Sequence, residues 1–463
     1  MEVCTVESLR ARHARSALRP RWPPPGFTDN QGLQPGFYSV LARSANDAPC
    51  AWYRPRMPDA RLRRMKKILL WFLLAVTLLV VAGLGYVWFG PVAVGDKKVM
   101  LDFLLGRSIE PPTAEQVASQ LRVADGFRLE VYSTAVPLAR WPLVTPTGDL
   151  IVARTRADEI VLLERDANGD GKPDAVRTLL ANLKHPHGLA LREGWLYVGE
   201  SNGIGRIRFD QDSGQVSGAF EHIVDDFTDD GFHRTKTLGF GPDGWLYVAQ
   251  GSSCNVCIEQ DERRATIMRM QPDGSQREIY ATGLRNSVGL DWAPWDDVLY
   301  ATENGRDLLG DDLPPDELNR IESNNFYGWP FVYGAGAPDP DFGAGHAAES
   351  ARAVTPVHEF RAHHAPLGLA FMRGANLPAG YSRTALVALH GSWNRSQPDG
   401  YKVVALDWQP DGSIVERDFL TGFLGDAGVL GRPAGIAQGP DGAIFITDDY
   451  AGVIYRVVPV TGP

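Results

Sequence analysis

The sequence predicts an all-β fold, a six-bladed β-propeller, carried behind a single apolar N-terminal helix. Three observations lead there. Turns rich in Gly and Asp recur beyond residue 124, each followed by a run that alternates apolar and aromatic residues as a strand does. The recurrence falls near the 40 to 50 residues typical of repeats built from short strands. Residues 68–90, ILLWFLLAVTLLVVAGLGYVWFG, are free of charge and are the one run long enough to cross a bilayer core about 30 Å thick.

Six units follow one another. TGDLIVARTRADEIVLLERD begins at Thr147, EGWLYVGESNGIGRIRFD at Glu193, and GPDGWLYVAQ, answered by ATIMRMQPDGS, at Gly241. WDDVLYATENG, answered by DELNRI, begins at Trp295; TALVALHGSWN, answered by GYKVVALDWQPDGS, at Thr384; GPDGAIFITDDYAGVIYRV at Gly439. Pro-Asp-Gly makes a tight turn because Pro presets φ while Asp and Gly accept the conformations that follow. The strands are expected to be half buried between neighbouring sheets. A long insertion at 305–383 leaves room for an extra or missing blade, and two packed β-sandwiches are the competing architecture. TAEQVASQLRV, near residue 123, is the one short helix expected on the way into the propeller.

Four segments are expected: 1–64, a Pro- and Arg-rich leader without periodicity; 68–90, a transmembrane signal-anchor; 91–123, a linker with a short helix; and 124–460, the propeller. RLRRMKK before the apolar run keeps that flank in the cytoplasm and sends the large domain outward, into the periplasm or beyond the membrane. MKKILLWFLLAV also has the form of a signal peptide, but no A-x-A-like site follows it, so a retained anchor is the reading taken. Translation beginning at Met65 would make the leader a gene-model extension.

The formal charge of −10 excludes a general nucleic-acid binder. DANGDGKPD places Asp166, Asn168, Asp170 and Asp174 like the first ligands of a calcium loop, although Arg177 stands where an EF-hand needs Glu; a structural calcium and a solvated turn are both open. Cys254 and Cys257 are read as a local disulfide over a metal pair or free thiols, and Cys4 and Cys50 are given no role. Histidines cluster beside turns late in the chain. Arg140, His233, Arg285 with Asn286, and Arg432 each stand just before a strand at near-equivalent places in the repeat. In a propeller such positions converge on one end of the channel, giving a ring of cations around a base that suits a planar polyanion. Nucleotide-binding, zinc-protease and serine-hydrolase motifs are missing where their mechanisms need them.

HRTKTLGFGPDGWLYV, GLRNSVGLDW, ATENGRD with GDDLPPDELN, NNFYGWPFVYG, HAPLGLAF, HGSWNR with GYKV, and GRPAGIAQGPDGAIFITDD occur in that order. Over about 124–460 the chain thereby resembles the glucose/sorbosone dehydrogenases, soluble-type quinoproteins that carry pyrroloquinoline quinone (PQQ) on a six-bladed propeller. The resemblance implies PQQ and calcium as cofactors and a sugar or sugar aldehyde as substrate. It implies electrons passed to an external acceptor or respiratory carrier, and His233 as catalytic base, a task suited to an imidazole. It implies cofactor contacts from Arg285, Asn286 and Arg432, with Arg140, Lys236 and His390 as further ones, and calcium on the backbone carbonyls of Gly305 and Arg306 after Glu303 and Asn304. Val288, His390 and Ala434 depart from the glucose-oxidising members and place the chain nearer the sorbosone side. Asp311, Asp312 and Asp316 are read as rimming the site or ordering its loop. The rival functions are a calcium-dependent lactonase on a similar propeller, which needs acidic ligands at the channel, and a non-enzymatic binding propeller, which has no need of His233.

Overall fold

Each turn-and-strand unit builds an antiparallel meander, and the third blade, with four strands, shows how. In GPDG, the Gly241 amide donates to the Trp245 carbonyl (3.0 Å) and Gly244 sits at φ +82°, a conformation open to glycine. The turn joins Lys236–Phe240 to Leu246–Gln250, and Thr266–Met270 and Glu278–Thr282 complete the sheet in order. The computed structural model describes residues 59–89, 97–374, 377–426 and 428–460.

Blade one runs from Trp141–Val144 to Val176–Leu180 and blade two from Leu189–Arg192 to Gln215–Val224. Blade four begins at Ser287–Trp292 and blade five at Pro366–Phe371. Blade six begins at Pro433–Gln438. The sixth sheet takes its outer strand from the start of the domain: Phe127–Ser133 pairs with Val453–Pro459, Phe127 opposite Pro459. That closure, and Arg122–Val123 added beside Thr421 and Leu420 in blade five, join sequence-distant segments and leave no local pattern to read. The insertion in blade four adds no blade; it holds the Val332–Tyr333/Ala337–Pro338 hairpin and the helix Ala347–Arg352 before the outer strand His358–Phe360.

The second strands differ from the half-buried expectation. Leu246–Gln250 and Thr384–Leu389 are buried at every position, because neighbouring blades cover both faces of the sheet. Between blades four and five, Trp295, Tyr300, Phe371 and Trp408 pack with centroid separations of 5.2–5.4 Å. Near the axis the inner strands crowd together. A Cβ at Gly289 would stand 2.3 Å from the Leu367 carbonyl, and one at Gly435 would stand 2.2 Å from Pro142 Cδ. Threonine hydroxyls stitch adjoining blades: Thr237 to the Val288 carbonyl (2.7 Å), Thr302 to Leu367 (3.0 Å) and Thr447 to Arg140 (2.8 Å).

The chain divides into two units, Met1–Phe72 and Leu73–Pro463. The apolar helix is Asp59–Phe89, and Arg63–Gly83 within it is long and apolar enough to cross a membrane by length and composition. It starts before the expected 68: Arg and Lys are good helix formers, so the basic flank 59–64 is helical and not part of an aperiodic leader. Residues 1–58 of that leader, and the 90–96 stretch after the helix, lie outside the described residues. The expected short helix is Ala114–Gln120, capped by Thr113 and Gln116 in a reciprocal box. A further helix, Lys97–Leu104, was not foreseen; Tyr450 OH donates to Asp102 (2.8 Å) and fixes it to blade six.

Candidate active site at the ring end of the propeller

Inner strands begin, and second strands end, at the same end of each blade. That geometry gathers the segments before the inner strands and the loops after the second strands. Acidic residues closing the second strands hold the incoming segments: Glu200 accepts the Lys184 amide (2.6 Å), Glu303 the Asn286 amide (2.6 Å), and Asp448 the Arg432 amide (3.0 Å). Glu303 also accepts the Ser287 hydroxyl (2.6 Å). Burial pushes Glu303 up to about 8 and Asp448 up to about 7. Sequence reasoning missed these anchors, although YVGE, YATE and FITD end on an acid in alternate blades.

His233 stands at φ +43° in the segment before blade three, part-buried. Its Nδ1 lies 2.9 Å from Ser252 Oγ and 3.0 Å from the Ser252 carbonyl. Ser252 Oγ donates to the Cys254 carbonyl (2.7 Å), so toward the imidazole it presents a lone pair. Both neighbours of Nδ1 are therefore acceptors, Nδ1 carries the proton, and Nε2 is left as a free base. Burial, then the charge of Arg285, lowers His233 to about 3 and keeps it neutral. The Asn286 side chain adjoins the same place: a Cβ on Gly251 would meet His233 Cβ at 2.5 Å and Asn286 Oδ1 at 3.0 Å.

A second group forms across blades one, five and six. Asp449 accepts from Arg140 Nη1 through Oδ2 and from His390 Nε2 (2.8 Å) through Oδ1. Burial opposes ionisation of Asp449, but the charges and hydrogen bonds around it, from His390, Arg140 and Arg432, hold it well below the usual carboxylate range. His390 is lowered to about 3 by burial and by Arg432. Among the described residues Arg140 Nε and Nη2 have no hydrogen-bond partner.

Other predicted ligand residues are committed elsewhere. Arg285 gives all five of its N–H groups to protein acceptors: the Asn255 carbonyl (2.8 Å) and Oδ1 (2.9 Å), the carbonyls of Asn304 (3.0 Å) and Gly305 (2.8 Å), and Asp307 (3.2 Å). Arg432 bonds the His390 and Gly391 carbonyls at 3.0 and 2.8 Å. Lys236 is wholly buried, its amine on the Arg234 carbonyl (2.7 Å), so it corrects the expectation of a cofactor contact; burial brings it down to about 7.

The metal expectations change too. A guanidinium 2.8 Å from the Gly305 carbonyl, one of the two carbonyls expected to hold calcium, does not fit a divalent cation there. In the blade-one hairpin, Asp166 accepts the Gly169, Asp170 and Gly171 amides (2.8–2.9 Å) and lies 3.3 Å from Arg456, while Asp174 takes the Asn168 amide (2.9 Å). These acids close their own turn. Among the described residues the only metal-sized triad of His, Cys, Asp or Glu is Cys254, Cys257 and Glu259, and those cysteines are joined in the disulfide the sequence suggested. Asp316 is buried and accepts the Gly305 and Ala365 amides (2.8 Å each), ordering the loop, whereas Asp312 is exposed on the rim.

The donor set fits a planar anion: among the described residues the Asn286 side chain and two nitrogens of Arg140 have no hydrogen-bond partner, and His233 Nε2 is a free base beside Asn286. Fold and geometry together define a six-bladed propeller whose segments before the inner strands gather polar and charged groups at one end of the blades. The chain belongs to the TrAA12-like family, which it matches over residues 121–459. Among curated proteins it is 24% identical over 421 residues to a pyrroloquinoline quinone-dependent pyranose dehydrogenase of Coprinopsis cinerea, covering 76% of this chain and 56% of that one. It is 40% identical over 216 residues to an uncharacterized protein of Borreliella burgdorferi, covering 46% and 56%. The chain thus spans little more than half the length of these relatives. Among solved structures, a Trichoderma reesei family AA12 enzyme superposes with TM-score 0.64 at 24% identity, over 74% of this chain and 98% of that one. The holo PQQ domain of the Coprinopsis cinerea enzyme gives 0.63 at 21%, over 73% and 97%. At that identity the likeness shows the fold.

Proposed function

We propose that the chain is a PQQ-dependent oxidoreductase that oxidises a sugar or sugar aldehyde and hands the electrons to an external acceptor or respiratory carrier. The observation that carries this is the imidazole of His233, locked through Nδ1 on Ser252 with Nε2 left as a free base and the Asn286 side chain beside it. When bound, PQQ supplies an electrophilic quinone carbon that accepts hydride from the substrate. His233 Nε2 takes the substrate hydroxyl proton, and its Nδ1–H bond to Ser252 holds the ring in place. Arg140 and the Asn286 amide would hold the carboxylates of the cofactor, with Asp449 orienting Arg140.

Val288, His390 and Ala434, which stand where the glucose-oxidising members carry other residues, support a sorbosone-type substrate over glucose. The apolar helix and its basic flank support an anchored, outward-facing protein. Arg285 holds the Gly305 carbonyl, which leaves that oxygen unsuited to calcium. The test uses the full chain in detergent, loaded with PQQ, with dye reduction followed over a panel of aldoses and sorbosone. A quinone-dependent absorbance change and turnover with at least one sugar are expected. Neither appearing, with any sugar, defeats the reading.

A further inference from the structure

The loop closed by Cys254 and Cys257 touches both the proposed base and the most heavily bonded arginine of the site. At its root Ser252 Oγ donates to the Cys254 carbonyl (2.7 Å) and receives His233 Nδ1. At its tip, between the cysteines, Asn255 spends its whole amide on blade four. Its Oδ1 accepts the Asp307 amide (2.8 Å) and its Nδ2 donates to the Asp307 carbonyl (3.1 Å), so one side chain imitates a backbone pairing between two loops. The Asn255 carbonyl and Oδ1 also take Arg285 Nε (2.8 Å) and Nη2 (2.9 Å). Arg285 carries the grip onward to the Asn304 and Gly305 carbonyls.

We propose that this disulfide loop is the positioning clamp of the site, with Ser252 and Asn255 as positioning residues and the Cys254–Cys257 bond holding the two in register. Calling His233 a base rests on the function proposed above; the clamp itself does not. Reaction distances tolerate little slack, since a misplacement of about 1 Å can cost on the order of 100-fold in rate. Opening the bond releases the Cys254 carbonyl from Ser252 and the Asn255 carbonyl from Arg285. It does not unfold the loop, because Glu259 separately accepts the Ser253 amide and hydroxyl, both at 2.7 Å. The charged groups facing His233 are Arg285 and Arg264, and no carboxylate hydrogen-bonds its ring. Its placement therefore depends on neutral acceptors that the loop must hold in position.

The test compares the native full chain with Cys254→Ser/Cys257→Ser, Ser252→Ala and the conservative Ser252→Thr. The first readout needs no cofactor: exchange of the Arg285 Nε–H by NMR, assigned through its loss in Arg285→Lys. It is expected to accelerate on the order of 10-fold in the double serine variant, as expected for a hydrogen bond whose acceptor has been freed. The second is turnover of the PQQ-loaded enzyme. Here kcat should fall on the order of 10-fold in the double variant and about 3-fold in Ser252→Ala, with little change in KM for the sugar and recovery in Ser252→Thr. Unchanged Arg285 exchange together with kcat within about 2-fold of native in both variants overturns the clamp. Faster exchange in a protein whose native form turns over no sugar upholds the clamp and rejects the dehydrogenase.

Discussion

Asp449 places one carboxylate oxygen on Arg140 and the other 2.8 Å from His390, joining blade one to blade five through blade six. Arg140 is thereby aimed with Nε and Nη2 free. In Asp449→Asn the aim is lost, the half-buried Arg140 loses its ion-pair partner, and the buried Arg432 loses one of the acids whose field offsets its charge. The expected outcome is about 1–3 kcal/mol of lost stability and PQQ binding weaker by on the order of 10-fold. Thermal unfolding and a fluorescence titration with PQQ check the two separately; native-like affinity would remove Arg140 from the cofactor contacts.

His233→Gln keeps a hydrogen-bonding side chain but has no basic nitrogen. Turnover of the loaded enzyme should drop by a factor of about 100 to 10,000, while PQQ affinity stays within a few-fold. Because burial and Arg285 hold His233 near 3, the pH profile of the native kcat should show no inflection near the ordinary histidine value of about 6.5. Stopped-flow reduction across pH 5 to 8 measures it. Near-normal turnover in the variant strikes out His233 as the base.

The fold was legible because its signals are local. A turn rich in Gly and Asp with an alternating apolar strand is written in adjacent residues, and six such units predict six blades. Strand Phe127–Ser133 was not legible as the outer strand of blade six, since its partner Val453–Pro459 lies over three hundred residues away. In the site, His233 and Asn286 were placed together as spacing suggested. What sequence could not show is how many of the cations are already satisfied. Arg285 and Lys236 look like ligands in a string of letters; in the structure the first is saturated by carbonyl oxygens and the Asp307 carboxylate, and the second is wholly buried with its amine on the Arg234 carbonyl. Backbone carbonyls leave no trace in a sequence, so the burden on Gly305 was equally invisible.

Gly289 has no room for a side chain, as a Cβ there would press on the Leu367 carbonyl at 2.3 Å and on Leu369. Gly289→Ala should cost about 1–3 kcal/mol through overpacking between the inner strands of blades four and five. Denaturant unfolding followed by tryptophan fluorescence checks it. An unchanged midpoint would mean the inner strands can separate freely, against the stitch from Thr302 to Leu367.

The raised carboxyls set a pH dependence whose sign can be worked out. Glu303 is pushed to about 8 in the folded chain, whereas an unfolded Glu titrates near 4.3. Between those values the folded state holds a proton that the unfolded state has released, so stability from this group is present at acid pH and is lost as pH rises toward about 8. Glu303→Gln removes the titration and keeps the contacts: its carbonyl can accept the Asn286 amide, and the Ser287 hydroxyl can turn to accept from its NH2. The variant should therefore match the native chain near pH 5 and exceed it increasingly up to pH 8.5. Thermal midpoints of both proteins across that range measure the difference. A gap that does not grow with pH would show that Glu303 is ionised in the folded state, its burial offset by Arg285.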